Sequence, residues 1–308
     1  MDYKKKRCNR ILRLSIMVIF FTSFISMAQT SNIVGCWKNE FNSVIKITDY
    51  NISTSEIKGL YSSTTGSSGT YDVTGMAKNT ESGDVAITLM ISWNSVREPA
   101  TDDASKYWTS TMSGIYKHDQ GTLNLLNVIA APGAFPELGM LPGTYPQSLI
   151  FTKVLNVYCR EVNQKPLKDS PLSSATSIDP AELLTGWWNN VERTYFGDYD
   201  LDRYDFNFIS VTLNPSGKYY DVYGYVNLPV AGNRFSGVCA LATSDQRVSI
   251  SVAVDFTIEG IIYNIAFAGF LEKDADNRNV LKLFTTKSSV ATSNLLSNSL
   301  SYGIYVKK

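Results

Sequence analysis

Apolar and polar residues alternate with a period of two along much of the chain. Ile87, Leu89, Ile91 and Trp93 share one parity, with Thr88, Met90 and Ser92 on the other. Val248, Ile250, Val252, Val254 and Phe256 repeat the pattern around Ser249, Ser251 and Ala253. Successive side chains of a strand point to opposite faces, so these runs predict β-strands. Turn material separates them: Gly66-Ser67-Ser68-Gly69, Glu81-Ser82-Gly83-Asp84, Pro215-Ser216-Gly217 and Asp274-Ala275-Asp276-Asn277. Few segments carry a 3.6-residue apolar repeat. Short strands at this spacing predict an all-β antiparallel fold, in a sandwich or a closed barrel.

The pattern breaks twice. At the start, Lys4, Lys5, Lys6, Arg7, Arg10 and Arg13 precede an apolar run from Leu14 to Ile25 and then Ser26-Met27-Ala28. This is the layout of an export signal, read here as residues 1–28 with cleavage near Ala28. The apolar run is too short for a transmembrane helix, and no second such span follows. The mature chain is therefore expected to be secreted or periplasmic, with no membrane span. The second break is residues 158–182, with Lys165-Pro166, Ser170-Pro171, a Ser/Thr stretch and Asp179-Pro180, which read as a linker. It separates blocks 33–157 and 183–308.

The two blocks resemble each other. Gly35-Cys36-Trp37-Lys38-Asn39 matches Gly186-Trp187-Trp188-Asn189-Asn190, and Val73-Thr74-Gly75 matches Phe235-Ser236-Gly237. Ser113-Gly114-Ile115 matches Ala268-Gly269-Phe270, and Ile150-Phe151-Thr152-Lys153 matches Ile304-Tyr305-Val306-Lys307. Two repeats are too few for a solenoid or propeller, so tandem barrels fit better.

Composition removes several function classes. Lys+Arg 28 balance Asp+Glu 28, which argues against a nucleic-acid binder working through a basic surface. Loss of residues 1–28 would remove six basic residues and Asp2, leaving a mildly acidic chain. The single histidine, His118, excludes a His-based metal site or catalytic pair in each block. No nucleophile–base pair, metal cluster or phosphate loop is present, so no enzyme activity, metal or cofactor is expected.

One ordered set of residues carries chemistry: Gly35-x-Trp37-x-Asn39-x-x-x-Ser43, Gly59-x-Tyr61-x-Ser63, Trp93, Ser113-Gly114-x-Tyr116 and Phe151-Thr152-Lys153. This set resembles the avidin/streptavidin family, well over 35–154 and weakly over 186–308. The resemblance implies two tandem eight-stranded antiparallel up-and-down β-barrels, of which the first binds biotin or a related small molecule at one open end. Trp37, Asn39, Phe41 and Ser43 share parity, so all four are expected on one face of a strand. By resemblance, Asn39, Ser43 and Tyr61 would donate to the ureido oxygen of biotin, and Ser63 would accept from a ureido N–H. Trp93 would form an apolar wall, and Ser110 would lie near the sulfur. Phe41, Trp108 and Asn127 are further candidates, with Gly66 and Ser67 in a lid loop. The other readings are a barrel for a different small ligand, or a structural or surface-assembly protein with filled barrels.

The sequence departs from the family pattern at several of these places. Leu149 stands where an aspartate usually receives the second ureido N–H. Asn127 stands where a ligand-facing tryptophan is usual, and could supply part of the missing polarity. Met112 replaces a further inward tryptophan, and the loop 131–146 holds Phe135 rather than a tryptophan reaching into a neighbouring subunit. In the second block, Asn190 and Tyr223 keep their places and Thr194 falls where Ser43 sits, but Phe256, Ile265, Tyr225 and Gly303 replace the equivalents of Trp93, Ser110, Ser63 and Leu149. Glu192 shares parity with Asn190 and would point inward, at a cost unless paired. The second block is therefore expected to be a degenerate barrel. Family barrels pair broad faces, so the chain could form a homo-oligomer or pair its two barrels internally. Because strand eight of such a barrel lies beside strand one, Cys159 would come near Cys36 for a disulfide, leaving Cys239 free.

Overall fold

The alternating runs become sixteen strands in two closed barrels in the computed structural model, which describes residues 33–63, 69–94, 104–136, 139–159, 179–194, 204–227, 233–242, 247–290 and 296–308. The export-signal reading of residues 1–28 lies outside the described residues, as does most of the linker.

The first barrel runs through β1 (Gly35–Asn39), β2 (Val44–Asn51), β3 (Glu56–Ser63), β4 (Gly69–Asn79), β5 (Val85–Ser92), β6 (Thr109–Lys117), β7 (Thr122–Ala131) and β8 (Gly143–Val154). Each strand pairs antiparallel with the next, and β8 returns to β1 through Asn39↔Phe151 and Trp37↔Lys153. The second barrel repeats this with β9 (Gly186–Thr194), β10 (Asp205–Leu213), β11 (Tyr220–Asn227), β12 (Arg234–Ala242), β13 (Arg247–Ile258), β14 (Ile261–Lys273), β15 (Asn279–Val290) and β16 (Leu296–Lys307). It closes through β16 and β9. Closure leaves no sheet edge open.

Both barrels are floored by a tryptophan in the same way. The fully buried Trp37 donates its indole N–H to the Ile33 carbonyl at 2.8 Å, and Trp188 donates to the Leu184 carbonyl at 2.8 Å. Lys153 lies over the Trp37 ring and Lys307 over Trp188. Leu184 ends α1 (Pro180–Leu184), whose N-cap Asp179 accepts from the Ala181 N–H at 2.9 Å. The Asp179-Pro180 pair, read from sequence as linker, is thus an N-cap followed by proline at the first helical position. Among the described residues no helix is long and apolar enough to cross a membrane.

Three pairs of strand glycines fix the repeat in space. A Cβ on Gly59 or Gly224 would collide with a backbone carbonyl of the preceding strand; one on Gly75 or Gly237, or on Gly114 or Gly269, would meet a carbonyl of the following strand. Only glycine fits such an approach.

Residues of both parities are buried along β5 and β6, because the outer face of the first barrel packs on the second. Met90 clusters with Tyr219, Val238 and Ala253; Ala86 and Ile115 cluster with Ile262 and Val290. Polar contacts cross the same seam: Ser113 Oγ to Ser288 Oγ at 2.9 Å, Ser249 Oγ donating to the Tyr107 carbonyl at 2.6 Å, and Lys78 Nζ to Asp255 at 3.8 Å. The barrels thus pair internally. Cys36 and Cys159 are joined in a disulfide with Cα atoms 6.1 Å apart, and Cys239 is a buried free thiol.

Candidate functional site

A cavity of about 430 Å³ opens at one end of the first barrel. Asn39, Phe41, Ser43, Tyr61, Ser63 and Trp93 line it, together with Trp108 and Asn127. Sequence-predicted positions from six strands or their ends therefore converge on one space.

The geometry corrects how β1 delivers its residues. The strand ends at Asn39, so Phe41 and Ser43 do not continue its face. A tight turn follows: the Asn39 N–H donates to the Ser43 carbonyl at 3.0 Å, the Asn42 N–H to the Asn39 carbonyl at 3.1 Å, and Asn42 takes a φ of 65°. Asparagine tolerates that left-handed region better than most residues. Asn39 Oδ1 accepts from the backbone N–H of Phe41 at 3.1 Å and of Ser43 at 2.8 Å. These bonds orient the carboxamide, so its NH₂ group is the end left to donate. Ser43 is carried inward by the turn, while Phe41 remains 42% exposed at the rim.

Tyr61 and Ser63 share the inner face of β3, as their parity predicts. The Tyr61 phenol is hydrogen-bonded with the side chains of Ser43 and Ser63, which ties the turn to β3. Burial raises its pKa above the ordinary tyrosine value, and the two serine bonds act in the opposite direction. The phenol is neutral near pH 7 and can donate.

The apolar wall is aromatic. Trp93, directly after β5, packs edge-on to Tyr61 at 5.8 Å and to Trp108 at 5.9 Å, and tilts against Tyr71 at 5.2 Å. Phe135 stands edge-on to Trp108 at 5.4 Å. Ser110 is fully buried and is not among the lining residues; it accepts the Trp93 indole N–H at 3.0 Å. Its place is to fix the Trp93 ring rather than to face a ligand. Gly66 and Ser67 lie outside the described residues.

The remaining wall comes from β7 and β8. Leu149 and Asn127 both line the cavity, and Met112 is buried in the core. Ile129, Met140, Tyr145, Pro146 and Gln147 also line it, and sequence reading did not name them. The parity of Tyr145, Gln147 and Leu149 held a signal, since all three precede Phe151 by even steps on one strand. Among the described residues, the lining holds no Asp, Glu, Lys, Arg or His.

Among the described residues, the second barrel does not repeat this set of side chains. Its paired glycines place Val226, not Tyr223, opposite Tyr61: Gly59 pairs with Val73 and Gly224 with Phe235, and the counterpart lies two residues on. Val222 and Val226 are buried, whereas Tyr223 is only half-buried and packs with Tyr225 on the outer face. Asn190 does keep the place of Asn39, opposite Tyr305 as Asn39 is opposite Phe151. A bulge at Val191 interrupts the parity between Asn190 and Glu192. Phe206 packs against Phe208, Phe235, Phe267 and Tyr305 at 4.8–5.8 Å, on and next to the rung of Trp188. Gly303, in the place of Leu149, makes room for this: a Cβ there would stand 3.1 Å from the Tyr305 hydroxyl.

Comparison with known proteins bears on the first barrel. Residues 27–129 match the model of the avidin family. No curated protein matches the chain. Among solved structures, a protein of unknown function from the DUF3598 family of Nostoc punctiforme PCC 73102 aligns over 90% of this chain and 96% of that chain, at 11% identity and a TM-score of 0.22. With eight up-and-down strands, a tryptophan floor and a polar cluster of asparagine, serine and tyrosine at an open end, the first barrel is similar to the avidin family over the matched residues 27–129, and the two eight-stranded barrels of the chain fit a tandem avidin-like arrangement.

Proposed function

We propose that the first barrel binds biotin, or a related small ligand, without covalent chemistry. The observation that carries this reading is the convergence of Asn39, Ser43, Tyr61 and Ser63 beside Trp93 in one cavity. An amide NH₂, a phenol and two hydroxyls can surround a carbonyl-type acceptor and return a bond to an adjacent N–H. The tryptophans supply a flat apolar wall for the rest of a ring system. Such a site is mostly apolar with a few placed polar groups, as ligand cavities generally are. The second barrel serves as a structural partner. We further propose that the chain works outside the cytoplasm, secreted or periplasmic. The basic and apolar segment before Ala28 supports this, and so does the Cys36–Cys159 disulfide, since disulfides persist in oxidising compartments.

Calorimetric titration of the full chain with biotin tests the binding reading. Saturable heat with one site per chain is expected. Tyr61→Phe should weaken binding by about tenfold through loss of one buried hydroxyl, whereas Asn190→Ala in the second barrel should leave it unchanged. No heat with biotin, or equal weakening by the two variants, refutes the reading.

A further inference from the structure

The β7–β8 wall of the cavity has a feature that the polar cluster on β1–β3 does not account for. Asn127 and Gln147 are direct partners across the two strands, and both line the cavity. The rung on the floor side is Leu125↔Leu149, and the rung on the mouth side is Ile129↔Tyr145. One pair of carboxamides therefore sits between two largely apolar rungs. Asn127 is 3% exposed, and its Oδ1 has no hydrogen-bond partner. A buried amide oxygen left unpaired is costly and is rare in folded proteins, unless a ligand or water completes it. Gln147 is exposed at the mouth.

The rung also stands apart from the first polar cluster. Gln147 precedes Phe151, the partner of Asn39, by four residues on β8. That is about 13 Å of strand. The cavity thus has a second polar rung on β7–β8, separated on the inner face of β8 from the partner of Asn39 by Leu149. This rung is made of neutral groups that each offer a donor and an acceptor.

We propose that the Asn127/Gln147 rung receives a neutral carboxamide at the far end of the ligand, so that the site prefers biotin joined through an amide to biotin as the free acid. This rests on the reading of the first barrel as a biotin site. A carboxamide can give its N–H to Asn127 Oδ1 and take an N–H from the facing glutamine. A carboxylate has no proton to give to that oxygen, and no charged partner among the described lining residues to offset its desolvation.

The test is titration of the full chain with biotin, with biotinamide (its carboxyl converted to a primary amide) and with biotin methyl ester. Biotinamide is expected to bind about tenfold or more tightly than biotin, with the ester, which lacks the N–H, falling short of the amide. Asn127→Leu and Gln147→Leu should each reduce the amide-to-acid ratio to about threefold or less. Gln147 lies at the exposed mouth, so its variant keeps the test open should Asn127→Leu fail to fold. Equal binding of acid and amide, or a ratio unmoved in the Gln147 variant, overturns the inference while leaving the biotin reading intact. Absence of binding by all three compounds overturns both.

Discussion

Asn39 holds its own turn with one end of its amide and presents the other to the cavity, so two substitutions should separate the roles. Asn39→Ala removes the oxygen that accepts from Phe41 N–H at 3.1 Å and Ser43 N–H at 2.8 Å. Each bond contributes about 1 kcal/mol net, and Ser43 is buried, so its amide would also be left unsatisfied. The expected loss is about 2–4 kcal/mol, a fall in melting temperature on the order of 5–10 °C. Asn39→Asp keeps both accepting positions and loses only the NH₂ donors. It should melt above the alanine variant yet bind biotin about a hundredfold more weakly, because a carboxylate would then face the acceptor of the ligand. Scanning calorimetry and titration on the same preparations read the two effects. Wild-type affinity in Asn39→Asp would show that the amide does not address the ligand. An unchanged melting temperature in Asn39→Ala would show that Oδ1 does not hold the turn.

Three further outcomes follow from the fold. The Cys36–Cys159 bond spans 123 residues, and chain entropy assigns such a loop up to about 5 kcal/mol; a reductant should lower the urea midpoint, and an unmoved midpoint would discount the cross-link. Gly114→Ala should destabilise by about 1–3 kcal/mol or more by driving Cβ into the Asn124 carbonyl, whereas Gly133→Ala, with nothing within 4 Å of the added carbon, should be nearly silent in the same unfolding assay. Burial raises the pKa of Asp255 above its ordinary value of 3.8, with Lys78 offsetting part of the rise. The folded state therefore keeps that proton longer than the unfolded chain, and the stabilisation present below pH 3.8 is lost as pH rises through the folded pKa. Asp255→Asn should accordingly raise the melting temperature at pH 7 and change it little at pH 3; a fall at pH 7 would mean that the Lys78 pair outweighs burial.

The two barrels also differ by a few exchanges within one fold. Ser110 becomes Ile265, so no hydroxyl waits behind the residue in the place of Trp93. Tyr61 becomes Val226, and Phe151 becomes Tyr305, whose ring joins the Phe206 cluster.

The period-two pattern determined the strands, because side-chain alternation is a local property of extended backbone. The pattern alone left a sandwich or a barrel open; the closed barrel was what the resemblance carried by Trp37, Asn39, Tyr61, Ser63 and Trp93 implied, while parity on a strand placed Tyr61 and Ser63 on one face. Sequence could not decide where parity is reset. The strand ends at Asn39 because its side chain captures two amides of the turn, and Val191 bulges from its ladder. Nor could it decide what stands across the barrel: the pairing of Asn127 with Gln147 joins residues twenty apart through the register of β7 and β8. The burial of Thr88 and Ser113, polar residues on an outward parity, was settled only when the second barrel covered them. Facing within a strand is set by the backbone alone, whereas register, bulges and the covering of an outer face depend on which distant segments win the packing.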